Sequence, residues 1–259
     1  MGIILRYNDF LKIYKTRSHR LNHLQNYKYL FPITSSPKLA GIVGDLMGDG
    51  HLQGHPKWRV DYTSKSPEEL KRFESEIKSI FNVGGSIRPC TTNKLSKSFN
   101  LGINNAPIAR ILFLTGVPHG EKVLQNFEIP SWICNDKECF RNFARRLFTC
   151  EGSIMDEKNR KIPQIRLNMW KSEVFHNIKP NFLGMLGHNL NSLFGIQSTI
   201  IRDKAFNIRK DKIKTLSYTM YICNLSAVKF FEQVGFEGEK QDKLIRIFRQ
   251  KHTSFLTNP

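Results

Sequence analysis

Apolar residues recur every three or four positions in several stretches of the chain, and this spacing predicts amphipathic helices. The clearest stretch covers residues 67–81, where Ser66-Pro67 supplies a hydroxyl cap and a proline at the first helical position. Ser36-Pro37 begins a second helix in the same way. The face of the 67–81 helix that we expect to be buried carries Leu70, Phe73, Ile77 and Ile80.

Both halves of the chain are predicted to follow the same order of helix, strand, helix, hairpin and helix. In the first half these elements cover residues 37–47, 57–63, 67–81, 86–90 with 96–103, and 107–115, and residues 120–127 close it. In the second half they cover residues 137–150, 164–169, 172–193, 198–203 with 217–222, and 227–234, before a last helix over 240–249. This mixture of helices and hairpins predicts an α+β fold.

The repeat is also visible in the residues that end corresponding elements. Asp49-Gly50 recurs as Glu151-Gly152, 102 positions later, and Lys65 recurs as Lys171, 106 positions later. Each lysine ends a predicted strand and precedes a serine that we expect to cap a helix. We therefore predict a duplicated fold with a pseudo-twofold axis. Its parts are a basic N-terminal extension over residues 1–36, a first repeat over 37–135 and a second repeat over 136–259.

The charge of the chain points to a polyanionic partner. Lysine and arginine together number 40 against 22 acidic residues, which gives a formal net charge of +18. Nucleic acid is favoured over a membrane, because no apolar run approaches the roughly 18 residues that a membrane-spanning helix needs. A basic surface without a specific partner is the alternative.

The five cysteines do not form the pattern of a disulfide framework or a zinc site. We expect them to be reduced thiols, mainly in the core. The N-terminal residues lack the apolar segment of a secretion signal, so we expect a soluble, intracellular protein, in the cytoplasm or in an organelle.

The segment between Gly44 and Gly50 joins a helix to an acid. Gly44 and Gly48 lie one turn apart on one helix face, a spacing that lets two helix backbones approach closely. Asp49 follows that helix and would then lie beside the acid that ends a partner helix. Two adjacent carboxylates repel each other unless a cation lies between them, and Mg²⁺ takes oxygen ligands of this kind. Alone, Asp49 could equally be a turn residue, and Asp45 is expected to pair in solvent or at the helix interface.

This pattern resembles the LAGLIDADG homing endonucleases, in the monomeric form with two repeats. The first motif matches through Gly44, Gly48, Asp49 and Gly50, and the second through residues 143–152. The resemblance covers roughly residues 37–250. The second motif departs from the family pattern, because Arg146 and Cys150 stand where small residues are usual. We therefore expect splayed helices or an Arg146 side chain that bends out to solvent.

The resemblance implies two αββαββα halves whose antiparallel strands form a DNA-binding saddle. It also implies that Asp49 and Glu151 bind Mg²⁺, with Mn²⁺ or Ca²⁺ able to substitute for binding, and that the backbone carbonyls of Gly50 and Gly152 contribute. The implied activity is site-specific hydrolysis of one phosphodiester in each strand of a long DNA target, which leaves 3′ overhangs.

Lys65 and Lys171 match the active-site lysines of this family, which position the attacking water or stabilise phosphate charge. Ordinary surface lysines are the alternative for both. Two other functions stay open at the level of the sequence. Some family members bind intron RNA and assist splicing, and a DNA-binding regulator without nuclease activity would use the same scaffold.

Double-stranded DNA with a long asymmetric or pseudo-palindromic target is the expected partner, and a monomer is the expected state. Strand ribbons fit the major groove, where arginine, asparagine and glutamine read base edges and lysine pairs with phosphates. Because strand residues alternate between faces, about half of the candidates should touch DNA. The candidates are Lys57, Arg59, Arg88, Lys94 and Lys97 in the first half, and Gln164, Arg166, Asn168, Arg202, Lys204, Arg209 and Lys210 in the second.

Overall fold

The computed structural model of the chain describes residues 2–14, 19–90, 97–157, 160–175 and 181–256. It divides the chain into two compact units, the first formed by Met1–Gly120 with Pro130–Cys139 and the second by Glu121–Ile129 with Phe140–Pro259. Residues 121–129 therefore belong to the second unit although residues on both sides of them belong to the first. None of the helices in the described ranges combines the length and the hydropathy that a membrane span requires.

The first unit contains the strands β1 (Ile3–Leu5), β2 (Ile33–Thr34), β3 (Gly50–Gln53), β4 (Arg59–Ser64), β5 (Ser86–Pro89) and β6 (Phe99–Ile103). They form a two-stranded sheet of β1 and β2 and a four-stranded antiparallel sheet with order β3-β4-β6-β5. Its helices are α1 (Tyr7–Lys12), α2 (His19–Leu24), α3 (Pro37–Met47), α4 (Pro67–Phe81), α5 (Ala106–Leu114) and α6 (Ser131–Cys134).

The second unit contains the strands β7 (Gly152–Met155), β8 (Gln164–Ser172), β9 (Ser198–Ile208) and β10 (Lys214–Ile222). They repeat the arrangement of the first unit, in a four-stranded antiparallel sheet of order β7-β8-β10-β9. Its helices are α7 (Lys137–Glu151), whose first three residues lie in the first unit, α8 (Asn181–Phe194), α9 (Asn224–Gln233) and α10 (Gly238–Leu256). The predicted α+β class is present in the structure, and the two units repeat one order of elements. Each unit has a strand, β3 or β7, that the predicted order of helix, strand, helix, hairpin and helix lacks.

Local sequence signals explain where several helices of the first unit begin. The side chain of Ser36 accepts a hydrogen bond from the Leu39 backbone amide at 3.2 Å, and Ser66 accepts one from Glu69 at 3.4 Å. A proline follows each of these caps, where its missing N–H costs no helical hydrogen bond. In α4 the buried residues are Leu70, Phe73, Ile77 and Phe81, so Phe81 rather than the expected Ile80 completes the apolar face.

Each four-stranded sheet buries one face under helices and leaves a polar face opposite. In the first sheet α4 and α5 pack on the side of Leu52, Val60, Tyr62, Leu101 and Ile103, which are all nearly fully buried. Strand pairing places a different set on the other side, since alternate residues point to opposite faces. The polar face of the first sheet carries His51, Gln53, Arg59, Asp61, Thr63, Arg88 and Asn100.

In the second sheet α8, α9 and α10 pack on the side of Ile165, Leu167, Leu216, Tyr218 and Met220. The polar face of the second sheet carries Gln164, Arg166, Asn168, Trp170, Asp203, Ser217 and Thr219.

Residues of the N-terminal extension pack on the first unit. Phe10 is fully buried. The Arg110 guanidinium of α5 lies 4.5 Å from the centre of the Tyr14 ring, and Asn105 Nδ2 donates a hydrogen bond to Tyr27 Oη at 3.1 Å. The extension therefore contributes side chains to this unit, while the boundary at residue 36 stays a prediction.

The predicted start of the helix after β8 is wrong. Ser172 was expected to cap a helix, but β8 continues through Ser172, and α8 begins at Asn181. Pairing with β10 extends to Thr215 opposite Ser172, and this long-range partner has no signature in the local sequence around residue 172.

Candidate active site and nucleic-acid interface

Each unit presents one acid at the same point of the repeated fold. Asp49 lies in the turn after α3, and Glu151 is the last residue of α7. In both cases the next residue, Gly50 or Gly152, begins the first strand of a four-stranded sheet. Asp49 is exposed and Glu151 is partly exposed. The two carboxylates therefore occupy equivalent positions, as the repeat predicted.

The glycines after the acids are required by the backbone. A Cβ atom at Gly50 would lie 2.6 Å from Leu46 Cα, and one at Gly152 would lie 2.3 Å from the Phe148 carbonyl oxygen. Such distances are far below van der Waals contact, and the obstructing atoms belong to the backbone four residues earlier. Only glycine lets the chain pass so directly from helix to strand. Packing alone therefore accounts for both glycines.

The oxygen donors at these positions fit a hard divalent cation unequally. Carboxylate and carbonyl oxygens are the ligands that Mg²⁺ prefers. In the second unit, however, the Gly152 carbonyl accepts a hydrogen bond from Lys240 Nζ at 2.8 Å. A cation bound there would share this oxygen with an ammonium group. The described residues contain no cluster of three or more His, Cys, Asp or Glu side chains suited to a metal, so the metal assignments stay predictions.

Lys240 also satisfies the end of α7. Its ammonium donates to the carbonyl oxygens of Thr149 and Cys150, the latter at 3.2 Å. The last carbonyls of a helix lack partners within the helix, and a cation at this end is favoured by the helix dipole. Sequence reasoning missed this residue because it lies 89 positions after Glu151 and no local pattern links the two.

Arg146 is buried within the second unit. The expected bending of its side chain out to solvent is therefore not observed. Its guanidinium pairs with the Glu237 carboxylate. The Thr149 hydroxyl accepts from the Glu237 amide at 2.9 Å, and Arg145 Nε donates to the Val234 carbonyl at 2.7 Å. These contacts anchor α7, which carries Glu151, to the segment between α9 and α10.

Asp45 anchors the corresponding helix of the first unit. It is fully buried, and its two oxygens accept from Arg72 Nη1 and Nη2 at 2.9 and 3.0 Å. Tyr62 Oη lies 3.4 Å from the same carboxylate. Burial would lower the pKa of Arg72, but the Asp45 carboxylate raises it above its ordinary value. Asp45, on α3, thus pairs with a residue of α4 inside its own unit. The expectation was that it would pair in solvent or at the helix interface.

Lys65 and Lys171 occupy different environments. Lys65 is exposed just after β4, whereas Lys171 is only 2% exposed and lies on the helix-covered face of the second sheet, opposite Leu216. Pairing of Gly50 with Tyr62 and of Gly152 with Leu167 makes Trp170, not Lys171, the structural counterpart of Lys65. A shift of one residue along a strand places a side chain on the opposite face.

The Lys171 ammonium holds residues 121–129 to the second sheet. It donates to the carbonyl oxygens of Lys122 and Gln125 at 2.7 and 2.8 Å, and it lies 3.8 Å from the centre of the Phe127 ring. Burial, together with the charge of Lys122, lowers the pKa of Lys171 to about 7. In this placement the ammonium binds the protein's own backbone, and a catalytic role for either lysine stays a prediction.

In the first unit, two of the predicted DNA-binding residues lie on the polar face. Arg59 and Arg88 share this face with Asn100, and Arg59 Nε donates to Asp61 Oδ1 at 2.9 Å. Lys57 and Lys97 are exposed in the segments before β4 and β6. Lys94 lies outside the described residues.

In the second unit, Gln164, Arg166 and Asn168 lie on the polar face, and Arg166 Nε donates to Ser153 Oγ at 2.9 Å. Arg202 pairs opposite Tyr218, which places it on the helix-covered side. Lys204 and Lys210 are exposed, while Arg209 forms ion pairs with Glu121 and Asp211. Strand alternation thus separates Arg202 from Gln164, Arg166 and Asn168.

The chain has distant relatives in sequence and similar solved structures. No family model matches the sequence. The tRNA-splicing ligase RtcB of Pyrococcus abyssi is 26% identical over 80% of this chain, and that of Methanopyrus kandleri is 28% identical over 94%. A replication factor C small subunit of Methanocaldococcus jannaschii is 28% identical over 53% of the chain. The chain spans 23%, 25% and 8% of these relatives, so about a quarter of their length or less.

Solved structures similar to the chain include LAGLIDADG-fold proteins. Mesophilic variants of the homing endonuclease I-DmoI, and I-DmoI in complex with DNA and calcium, each have a TM-score of 0.51, with 17% and 16% identity. Both cover 81% of this chain and 97% of their own. The homing endonuclease I-WcaI bound to its DNA recognition sequence has a TM-score of 0.50 at 14% identity and covers 91% of this chain and 97% of its own.

Full-length WhiA from Thermatoga maritima also has a TM-score of 0.50, at 15% identity, and covers 88% of this chain and 68% of its own. At these identities the likeness establishes the fold of the chain, and function has to be argued from its own residues.

Proposed function

We propose that this protein is a site-specific, metal-dependent DNA endonuclease that acts as a single chain with two repeats. The observation that carries the proposal is the equivalent placement of Asp49 and Glu151. Each carboxylate ends or closely follows a helix and stands directly before the first strand of a four-stranded sheet with one polar, arginine-bearing face. A net charge of +18 favours a polyanionic substrate.

The chemistry follows from the exposure of these groups. When Mg²⁺ is bound, it supplies a Lewis acid for phosphodiester hydrolysis and lowers the pKa of a bound water. Asp49 and Glu151 would hold it, with the Gly50 carbonyl as a further oxygen donor, and each carboxylate would serve cleavage of one strand to leave 3′ overhangs. Lys65 is exposed just after β4, and its proposed role is to pair with a DNA phosphate.

The activities of the curated relatives are not proposed for this chain. A tRNA-splicing ligase and a replication factor have different activities, and the similar segment covers at most a quarter of each. A segment common to both does not account for either activity. By contrast, the fold match to I-WcaI covers 97% of that chain, and I-WcaI was solved bound to its DNA recognition sequence.

The test is incubation of the purified chain with Mg²⁺ and DNA that spans its host gene without the intron or intein insertion. We expect one double-strand break, and we expect Asp49→Asn and Glu151→Gln each to abolish it while DNA affinity is retained. Asp242→Asn, an exposed acid on α10, is the matched control and should cleave like the wild type. Cleavage at the wild-type rate by either site variant would contradict the metal assignment. No break, together with tight binding of the cognate intron RNA, would favour the splicing function instead.

A further inference from the structure

A network of hydrogen bonds surrounds Asp203 on the polar face of the second sheet. Asp203 Oδ2 accepts from Ser217 Oγ at 2.5 Å, from Thr219 Oγ1 at 2.7 Å and from Asn168 Nδ2 at 3.4 Å. Asn168 Nδ2 also donates to Ser217 Oγ at 2.8 Å and to Thr219 Oγ1 at 2.9 Å. Ser217 and Thr219 are each only 3% exposed, so this network is built into the sheet.

The chemistry of the network fixes the orientation of the Asn168 amide. Each hydroxyl has one hydrogen, and both hydroxyls direct it to the Asp203 carboxylate, which can only accept. Ser217 and Thr219 therefore offer Asn168 only their lone pairs, and the amide must turn its NH₂ group toward them. Among the described residues, no hydrogen bond reaches Asn168 Oδ1 or Asp203 Oδ1. The oxygens available to a ligand at this patch are acceptors.

We infer that the Asn168–Asp203 patch, defined by these two side chains, selects adenine or cytosine over guanine or thymine on the DNA strand that it contacts. This inference rests on the proposed function. Adenine and cytosine present amino donors in the major groove, whereas guanine and thymine present acceptors at the corresponding positions. Phosphate oxygens are also acceptors, so the patch disfavours a backbone contact. The usual two-point recognition of adenine by asparagine is excluded, because it requires the NH₂ group that Asn168 uses internally.

On the polar face of the first sheet, the groups around the aspartate leave hydrogen-bond donors available instead of acceptors. Asp61, on the polar face, accepts from Arg59 Nε at 2.9 Å and also from Arg59 Nη2. An arginine has five N–H donors, so the guanidinium keeps donors for a ligand after this pairing. The Arg59–Asp61 pair therefore presents donors, which suit guanine, while the Asn168–Asp203 patch presents acceptors.

The experiment is selection of bound duplexes from a library with a long randomised segment, without divalent metal so that no DNA is cut. The wild type is compared with Asn168→Ala and Asp203→Asn, and thermal unfolding checks that each variant is folded. We expect one position in the wild-type target to prefer adenine or cytosine by roughly ten-fold or more. Both variants should lose that preference and keep the others. In Asp203→Asn the hydroxyls and the Asn168 amide are free to reorient, so this variant should also admit guanine or thymine.

Asp242→Asn changes the net charge equally but lies on α10, and it should leave every preference unchanged. A guanine or thymine preference at the position altered by Asn168→Ala would overturn the inference. A specific target that is identical for the wild type and both folded variants would also overturn the inference. If the wild type binds no duplex at all, the proposed function fails, and the inference fails with it. Specific binding with an unaltered target contradicts only the inference.

Discussion

Asp45 and Asp49 lie four residues apart in one motif, and we expect Asp45 to contribute to stability and Asp49 to the proposed cleavage. Asp45 is fully buried and forms two hydrogen bonds with Arg72, whereas Asp49 is exposed. Removing one partner of a buried ion pair costs about 3–5 kcal/mol, because the other charge is left without compensation. The Arg72 side chain is 23% exposed, so water partly compensates it, and we expect Asp45→Asn to cost about 3 kcal/mol. This corresponds to a fall of roughly 10 °C in the unfolding midpoint.

The assay is thermal and denaturant unfolding of wild type, Asp45→Asn, Arg72→Met and the double variant. The double variant should be less destabilised than the sum of the single variants, because it leaves neither charge alone. Asp49→Asn is the matched control: it should unfold within about 0.5 kcal/mol of the wild type and yet lose cleavage. Asp45→Asn should still cleave DNA below its lower unfolding temperature. A loss of less than about 1 kcal/mol in Asp45→Asn would refute the assignment of this carboxylate to stability.

Two further predictions concern the second unit. Gly152→Ala should destabilise the protein, because its methyl group would meet the Phe148 carbonyl oxygen at 2.3 Å. The control Gly184→Ala in α8, where no atom lies within 4 Å of the added methyl group, should be neutral or stabilising by up to about 1 kcal/mol. Equal unfolding midpoints for the two variants would contradict this prediction. For Lys171, burial lowers the folded-state pKa to about 7 from an ordinary 10.5, so between these values the unfolded chain binds more protons and stability rises with pH. The stability of wild type relative to Lys171→Met should therefore be lowest below pH 7 and rise toward pH 10.5. A difference in unfolding free energy that does not change with pH would show that Lys171 stays charged in the folded protein.

The features that could be predicted from the sequence are those that neighbouring residues determine. Ser36 and Ser66 cap helices because each hydroxyl lies three residues before the amide that it accepts from. The matching pairs Asp49-Gly50 and Glu151-Gly152 revealed the repeat, and the structure places them at equivalent points of two sheets. The glycine requirement explains why the pairs are recognisable at all, since the backbone admits no other residue after either acid.

The features that could not be predicted depend on partners far apart in the chain. Lys171 was matched to Lys65 by spacing along the sequence. Strand register is decided instead by the pairing of β8 with β10 and β7, and it makes Trp170, one residue before Lys171, the counterpart of Lys65. The Lys240 ammonium, the Glu237 partner of Arg146 and the hydroxyls around Asp203 lie between 14 and 91 positions from the groups that they bind. No local pattern encodes contacts of this kind.

The alternation of residues 121–139 between the two units has a consequence for engineering. The chain enters the second unit at Glu121, returns to the first at Pro130 and re-enters the second at Phe140. A chimaera made by a single crossover, wherever it is placed, would therefore join part of one parent's unit to the other parent's sequence. A crossover at residue 136 would leave Lys171 facing a foreign segment in place of its own Phe127. Recombination of such proteins needs two exchanged pieces, residues 121–129 and residues 140–259, taken from the same parent.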